Sequence, residues 1–134
     1  MKTNLDIEIK VIEQFIIRTK QDRYLSFLKN DKTRVKFTNE LAHFSDLRQD
    51  LFDEVKGNER QTIIDRVKSL GKLNDCYLIS ESSELDQKRF DIDKAFDKVI
   101  GYGMGTLIIF GDAEIVYYES EGPSHRWISK LNKK

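Results

Sequence analysis

Three polar residues near the C-terminal end are the closest approach to a catalytic group in this sequence. Glu119 and Glu121 precede a Gly-Pro turn, and His125 follows it. A hairpin closed by that turn would bring the imidazole towards the two carboxylates, and such a group can transfer protons or bind a metal ion. The alternative interpretation is that two acids and a histidine meet on a strand turn by chance. These residues carry the hypothesis of a small enzyme.

A second segment combines positive charge with aromatic rings. Residues 18–36 hold seven basic side chains against two acidic ones, with aromatic residues between them. Cations at this density can bind phosphates, and aromatic rings can stack on bases. The alternative is a solvated helical hairpin that faces the acidic residues 37–100, whose net charge is −4. The residues expected to contact nucleic acid are Lys20, Arg23, Tyr24, Arg34 and Lys36.

The scarcity of histidine and cysteine limits the chemistry further. His43 falls beside Lys36 and Glu40 on the polar side of a predicted helix, where it would face solvent or a partner. Cys76 is the only cysteine, which excludes an intrachain disulfide and a cysteine-based zinc cluster. Its apolar neighbours predict a buried structural thiol.

The glycine and aspartate patterns do not match cofactor or metal loops. Gly101, Gly103 and Gly105 follow a predicted helix and precede a predicted strand, whereas a phosphate-binding loop follows a strand and opens a helix. The aspartates around residue 91 lack the central glycine and terminal glutamate of a calcium loop. We therefore expect no cofactor and no bound metal.

The basic and aromatic residues of segment 18–36 must be positioned by helices in the N-terminal half of the chain. One apolar sector of a helical wheel predicts a long first helix, and its members are Leu5, Ile9, Ile12 and Ile16. If that helix continues unbroken, Arg23 and Phe27 reach its apolar side, and Arg23 then needs a carboxylate partner.

Further helices are predicted from caps and apolar stripes. Asp31 can cap a second helix, which would bury Phe37, Leu41 and Phe44. A short helix is predicted over residues 50–55, and a longer one over residues 58–70.

Strand patterns dominate from Cys76 onwards. Short apolar runs predict strands over residues 76–80, 106–110, 114–119 and 125–128, with a helix capped by Asp91 after the first. The predicted fold class is α+β, with N-terminal helices packed on a small, mostly antiparallel sheet of about four strands that ends in a C-terminal β-meander. With one proline and no Ser/Gly linker, residues 1–134 are expected to form a single domain.

The predicted hairpin has an unusual distribution of apolar residues. A turn at Gly111-Asp112 would pair Ile109 with Glu114 and Leu107 with Val116. One face would then carry Leu107, Ile109, Val116 and Tyr118, and the other Ile108, Phe110, Ile115 and Tyr117. Both faces are apolar, whereas a half-solvated sheet alternates apolar and polar residues. Either helices cover both faces, or one face meets a protein partner or a second copy of the chain.

Composition and charge exclude several classes of protein. The 134 residues carry 23 basic and 23 acidic side chains, which disfavours a uniformly basic nucleic-acid coat and an acidic mimic of nucleic acid. No apolar run approaches the length of about 18 residues that a membrane span needs, and the first residues lack the apolar stretch of a signal peptide. We expect no membrane association and, with a single cysteine, a cytoplasmic location.

Three segments resemble parts of a group of small bacterial proteins. They are residues 32–47 (KTRVKFTNELAHFSDL), 76–81 (CYLISE) and 105–121 (GTLIIFGDAEIVYYESE). The resemblance implies a bacterial or mobile-element cytoplasmic setting, and it implies no activity, cofactor or catalytic residue.

Three hypotheses about function result. The leading one is a small, non-enzymatic cytosolic binding module that recognises another macromolecule as an inhibitor, an immunity protein or an accessory factor would. Its partner would be another protein or a second copy of the chain. The alternative is nucleic-acid binding through the basic-aromatic helical region of residues 18–36. The third is the small enzyme that uses Glu119, Glu121 and His125.

Overall fold

Six strands form one antiparallel sheet, and helices pack on both of its faces. The structure is a computed structural model, and it describes residues 4–55, 60–70, 75–100, 104–111, 113–120 and 126–129. Within these residues the helices are α1 (Asn4–Phe15), α2 (Gln21–Phe27), α3 (Asp31–Glu40), α4 (Arg60–Leu70) and α5 (Ile92–Val99). The strands are β1 (Phe52–Glu54), β2 (Asp75–Ser80), β3 (Arg89–Asp91), β4 (Thr106–Phe110), β5 (Ile115–Glu119) and β6 (Arg126–Ser129).

The predicted α+β class is confirmed, with more strands than expected. The strand order is β1-β6-β5-β4-β2-β3, and all neighbouring pairs are antiparallel. The two additional strands, β1 and β3, are three residues long and form the edges of the sheet. The predicted helix over residues 50–55 was wrong, because Phe52 to Glu54 pair with β6 instead.

The β4–β5 hairpin is apolar on both faces, as predicted. Its register differs by two residues from the prediction, since Phe110 pairs with Ile115 and Ile109 with Val116. The turn is longer than two residues and contains positive φ angles at Gly111 (62°) and Ala113 (59°). A shift of two residues preserves the side-chain alternation of a strand, so the two predicted faces are unchanged.

The chain's own helices cover both faces of the sheet. On one face, α1, α2 and α3 pack on a cluster that includes Tyr77, Leu107 and Val116. On the other face, α4 and α5 pack on a cluster that includes Ile108 and Tyr117. Of the two explanations for the apolar hairpin, coverage by helices is therefore the one that the structure adopts.

Helix α5 shows how sequence determines one of these layers. The Asp91 side chain accepts a hydrogen bond from the Lys94 backbone amide at 2.8 Å and so caps the helix. The buried residues recur at the spacing of one helix face, and they are Ile92, Ala95, Phe96 and Val99. The helix and its Asp91 cap are those predicted from the sequence.

The first helix forms as predicted, but it is shorter than predicted, and of the expected apolar stripe Ile12 and Ile16 are buried while Leu5 is not. Helix α1 ends at Phe15, and Ile16 forms a β-bridge with Leu47. The helix turns Ile7 and Glu8 inward, so Leu5 remains 51% exposed. The break also moves Arg23 away from the core, and its side chain is exposed on α2. The buried arginine of this half of the chain is Arg34.

Helix α3 is capped one residue earlier than predicted and begins at Asp31. The Asn30 side chain, rather than that of Asp31, accepts a hydrogen bond from the Thr33 amide at 3.0 Å. Within the described residues, no helix is long and apolar enough to cross a membrane.

The turn that follows α3 lies very close to Gly105, the residue before β4. A Cβ atom placed on Gly105 would lie 2.3 Å from the backbone carbon and oxygen of Leu41. Backbone atoms cannot give way as the end of a flexible side chain can. Contact between the first helical layer and the sheet at this point therefore requires glycine.

We expect Gly105→Ala to destabilise the fold by about 2–3 kcal/mol, because a core in contact with backbone atoms tolerates added volume poorly. Gly111→Ala is the matched control, since Gly111 is exposed and its positive φ should cost only about 1 kcal/mol. Urea unfolding of both variants gives the comparison. Equal losses of stability would contradict the close approach of Gly105 to Leu41.

Candidate functional site

A buried group of charged side chains joins three parts of the chain on the α1–α3 face of the sheet. Arg34 of α3 donates from Nε to Glu8 Oε1 at 2.9 Å and from Nη2 to Glu8 Oε2 at 2.6 Å. The same guanidinium donates to both carboxylate oxygens of Asp86, in the loop after β2. Arg34 is 8% exposed and Glu8 is 2% exposed. Two bidentate contacts therefore hold α1, α3 and this loop together.

Neighbouring donors complete the buried group. The Tyr77 hydroxyl of β2 donates to Glu8, and the Ser80 backbone amide donates to Asp86 at 3.1 Å. Burial and the hydrogen bond to Glu8 raise the pKa of Tyr77 above its ordinary value. Burial lowers the pKa of Arg34, but the bonds to Glu8 and Asp86 outweigh it and leave the pKa raised. The Arg34 guanidinium therefore stays charged and is bonded on both sides, which suits a structural role better than proton transfer.

The structure places two of the five expected nucleic-acid contacts in the interior. Arg34 belongs to the buried group, and Tyr24 is 1% exposed with its hydroxyl donating to Asp46 at 2.6 Å. Burial, followed by the interaction with Asp46, raises the pKa of Tyr24. Neither side chain lies on the outer surface of the helices.

The other three expected contacts lie on the outside of the helical layer. Lys20 is partly exposed at the start of α2, while Arg23 and Lys36 are exposed. The Arg23 guanidinium carbon is 5.5 Å and the Lys36 Nζ is 5.9 Å from the centre of the Phe27 ring. Both cations are thus held on one aromatic ring where α2 meets α3. The His43 backbone lies in a 3-10 turn after α3, and its side chain is outside the described residues.

The predicted polar site near the C-terminal end is described only in part. Glu119 is completely buried, and its Oε1 accepts hydrogen bonds from Arg126 Nε at 2.9 Å and from the Tyr117 hydroxyl at 2.8 Å. Glu121 and His125 lie outside the described residues. The carboxylate of Glu119 therefore faces the core and a buried arginine, and its grouping with Glu121 and His125 stays a prediction.

The single cysteine of the sequence is shielded from solvent by the residues around it. Cys76 is 2% exposed, and its thiol lies 3.4 Å from the Phe90 carbonyl. Burial raises the pKa of the thiol to about 12. The buried position predicted for this cysteine is confirmed. Among the described residues, no group of three or more histidine, cysteine or acidic side chains is arranged to hold a metal ion.

One pocket opens on the α1–α3 face near the β1 edge of the sheet. The sequence did not indicate it, because its lining residues come from segments that are far apart in the chain. We refer to it as the aromatic pocket, and its lining residues are Phe44, Leu47, Gln49, Phe52, Tyr118 and Trp127.

The sequence did contain a signal for the buried arginine. Arg34 lies three and seven residues before Phe37 and Leu41, which places it on the same side of a helix as these two core residues. Its partners were not predictable, since Glu8 and Asp86 are 26 and 52 residues away.

Comparison of this chain with protein-family models, curated proteins and solved structures found no match.

Arg34→Met should lower the free energy of unfolding by about 3–5 kcal/mol, because it leaves two carboxylates facing each other without their cation. Arg23→Met removes an exposed arginine of the same region and should cost less than about 1 kcal/mol. Chemical denaturation of both variants measures the difference. Similar losses for the two would show that the buried group does not support the fold.

Proposed function

We propose that the protein is a cytoplasmic binding module without enzymatic activity, and that it recognises an acidic surface of another protein. The recognition surface is the outer side of α2 and α3, formed by Arg23, Lys32, Val35 and Lys36, which we call the α2–α3 surface. The observation that carries the proposal is the exposure of this set together. All four side chains are exposed, and Val35 is 51% exposed.

Helical geometry gathers these residues. Lys32 and Lys36 are four residues apart on α3 and therefore neighbours on one side of the helix, and Val35 is adjacent to that row. Arg23 joins them from α2, because it and Lys36 both lie on the Phe27 ring. An exposed apolar side chain bordered by cations resembles the centre and rim of a protein interface. Arginine held on an aromatic ring loses little freedom on binding.

The surroundings favour a protein partner over nucleic acid. Stacking on bases needs accessible aromatic rings, and the rings of this region are turned inward, with Tyr24 and Phe37 almost completely buried. The exposed Val35 adds an apolar contact that a phosphate backbone would not use. The cations alone could still attract phosphates, which keeps nucleic acid as the competing partner in the test.

Because helices cover both faces of the sheet, the sheet itself offers no docking face among the described residues. An apolar sheet face was the expected docking site for a partner, and in the described residues the chain's own helices occupy both faces. Recognition then depends on the outer sides of those helices. The burial of Glu119 against Arg126 weakens the support for the enzyme hypothesis.

The double variant Lys32→Glu/Lys36→Glu should weaken binding of the partner by at least about tenfold, because it reverses two charges at the interface. Lys94→Glu/Lys98→Glu is a matched control with the same charge change at the same spacing on an exposed face of α5. A partner captured from nuclease-treated lysate would be purified, and its affinity for the three proteins measured by calorimetry.

The outcomes separate the two kinds of partner. Equal affinities of wild type and the α3 variant would contradict the proposal. Binding of a labelled oligonucleotide that is lost in the α3 variant, with log affinity falling linearly with log salt, would overturn it in favour of nucleic acid. Arg34 was among the expected nucleic-acid contacts, but Arg34→Glu is unsuitable for this test, because it would break the buried charged group rather than change the surface.

A further inference from the structure

The cations of the α2–α3 surface have no acidic partner in the part of the chain that the structure describes. Arg23, Lys32 and Lys36 are all exposed, and no ion pair joins any of them to a described carboxylate. This holds even for the exposed acids of the same two helices, which are Asp22, Asp31 and Glu40. The positive charge of this surface is therefore available to a ligand from outside.

Two of these cations meet at one aromatic ring. The Arg23 guanidinium carbon lies 5.5 Å and the Lys36 Nζ 5.9 Å from the centre of the Phe27 ring. The Thr33 hydroxyl donates to the Phe27 carbonyl at 2.8 Å, which ties the start of α3 to the end of α2. The Tyr24 ring packs edge to face on the Phe27 ring at 5.6 Å. Because the ring is held in place, a ligand that binds its two cations orders little of the protein.

The charge of these two side chains favours a phosphate monoester among the anions of macromolecules. Two cations gathered at one ring repel each other, and an anion with two negative charges offsets both. A carboxylate or a phosphodiester of nucleic acid brings a single negative charge. A phosphorylated side chain brings about −1.5 to −2 charges and three strong acceptor oxygens at neutral pH. Its oxygens can accept hydrogen bonds from the planar arginine fork and from the lysine ammonium group together.

The exposed Val35 favours a protein as the source of that phosphoryl group. Its side chain is 51% exposed and borders the Lys32–Lys36 row. A free phosphate ion or a nucleic-acid backbone leaves this apolar side chain in water. A protein segment can instead place an apolar residue on Val35 beside its phosphorylated residue, which buries apolar area on both sides.

We infer that the α2–α3 surface binds a phosphorylated side chain of a partner protein, with the phosphoryl group on Arg23 and Lys36 and an apolar neighbour on Val35. Recognition of phosphorylated residues by arginine clusters is one of the recurring modes of peptide binding. This specificity rests on the proposed function, since it identifies the charged group that the acidic partner presents to the same surface.

A short phosphorylated peptide is a direct probe of the site. Acetyl-phosphoserine-leucine amide would be titrated into the ¹⁵N-labelled protein, and the backbone amide shifts of α2 and α3 followed by NMR. These shifts should saturate, with an affinity at least about tenfold higher than for the peptide that has glutamate in place of phosphoserine. The unmodified serine peptide should give no saturable change.

Single substitutions of the exposed side chains test each contact. Arg23→Gln and Lys36→Gln should each weaken binding of the phosphoserine probe severalfold, because each removes one positive charge from the site. Lys98→Gln is the matched control, since the exposed Lys98 Nζ lies 5.4 Å from the Phe90 ring on α5, and it should leave the affinity unchanged. Exchanging the leucine of the probe for glycine should weaken binding to the wild type but not to Val35→Ser.

Phosphatase treatment of the captured partner separates this inference from the proposed function. We expect dephosphorylation to weaken binding of the partner by at least about tenfold. Binding that is lost in the Lys32→Glu/Lys36→Glu protein but insensitive to phosphatase would support the acidic-surface function and overturn phosphoryl recognition. Equal partner binding by the wild type and that variant would instead contradict the proposed function.

Three results with the probes would also overturn the inference. The first is an equal affinity for the phosphoserine and glutamate peptides. The second is binding of inorganic phosphate as tightly as the phosphopeptide, which would make the surface a non-specific anion site. The third is displacement of the phosphopeptide by a lower concentration of single-stranded oligonucleotide phosphates, which would assign the cations to nucleic acid.

Discussion

The rest of the structure depends on burying both faces of the β4–β5 hairpin. Side chains of adjacent strand residues point to opposite faces, and in this hairpin both alternating sets are large and apolar. Leaving either set in water would forfeit the hydrophobic free energy of one of the two core clusters. One helical layer is therefore needed on each side, and the chain supplies α1 to α3 on one face and α4 with α5 on the other. The result is a three-layer arrangement built on an antiparallel sheet.

The buried group around Arg34 follows from the way the first helical layer is assembled. Three connected helices must pack in one arrangement on one sheet face, and apolar contacts, which are not directional, do not fix their relative positions. The bidentate bonds of Arg34 to Glu8 and Asp86 have a defined geometry and join α1, α3 and the loop after β2 in one arrangement. Paired charges inside a protein contribute less to net stability than to making alternatives costly. The outer side of this layer carries the α2–α3 surface, so the same contacts fix its shape.

The sequence predicted what depends on local patterns. The strands β2, β4 and β5, the cap of α5 and the two hairpin faces could all be inferred from alternation, turn residues and helical spacing. The orientation of α1 could not, because Glu8 is buried only through partners far away in the chain. The short edge strands β1 and β3 were missed, since three residues carry little periodicity and their pairing is tertiary. The aromatic pocket was out of reach for the same reason, as its walls meet only in the folded chain.

The central claim of this account is that the chain covers both sheet faces by itself and leaves recognition to its outer surfaces. Native-state hydrogen exchange on the purified protein over a range of protein concentrations tests it most directly. The account predicts that the amides of Thr106–Phe110 and Ile115–Glu119 exchange only through global unfolding, with a protection that does not vary with protein concentration. Weak protection of these strands in the dilute protein, rising with concentration or with an added partner, would show that a sheet face is completed from outside and would contradict it.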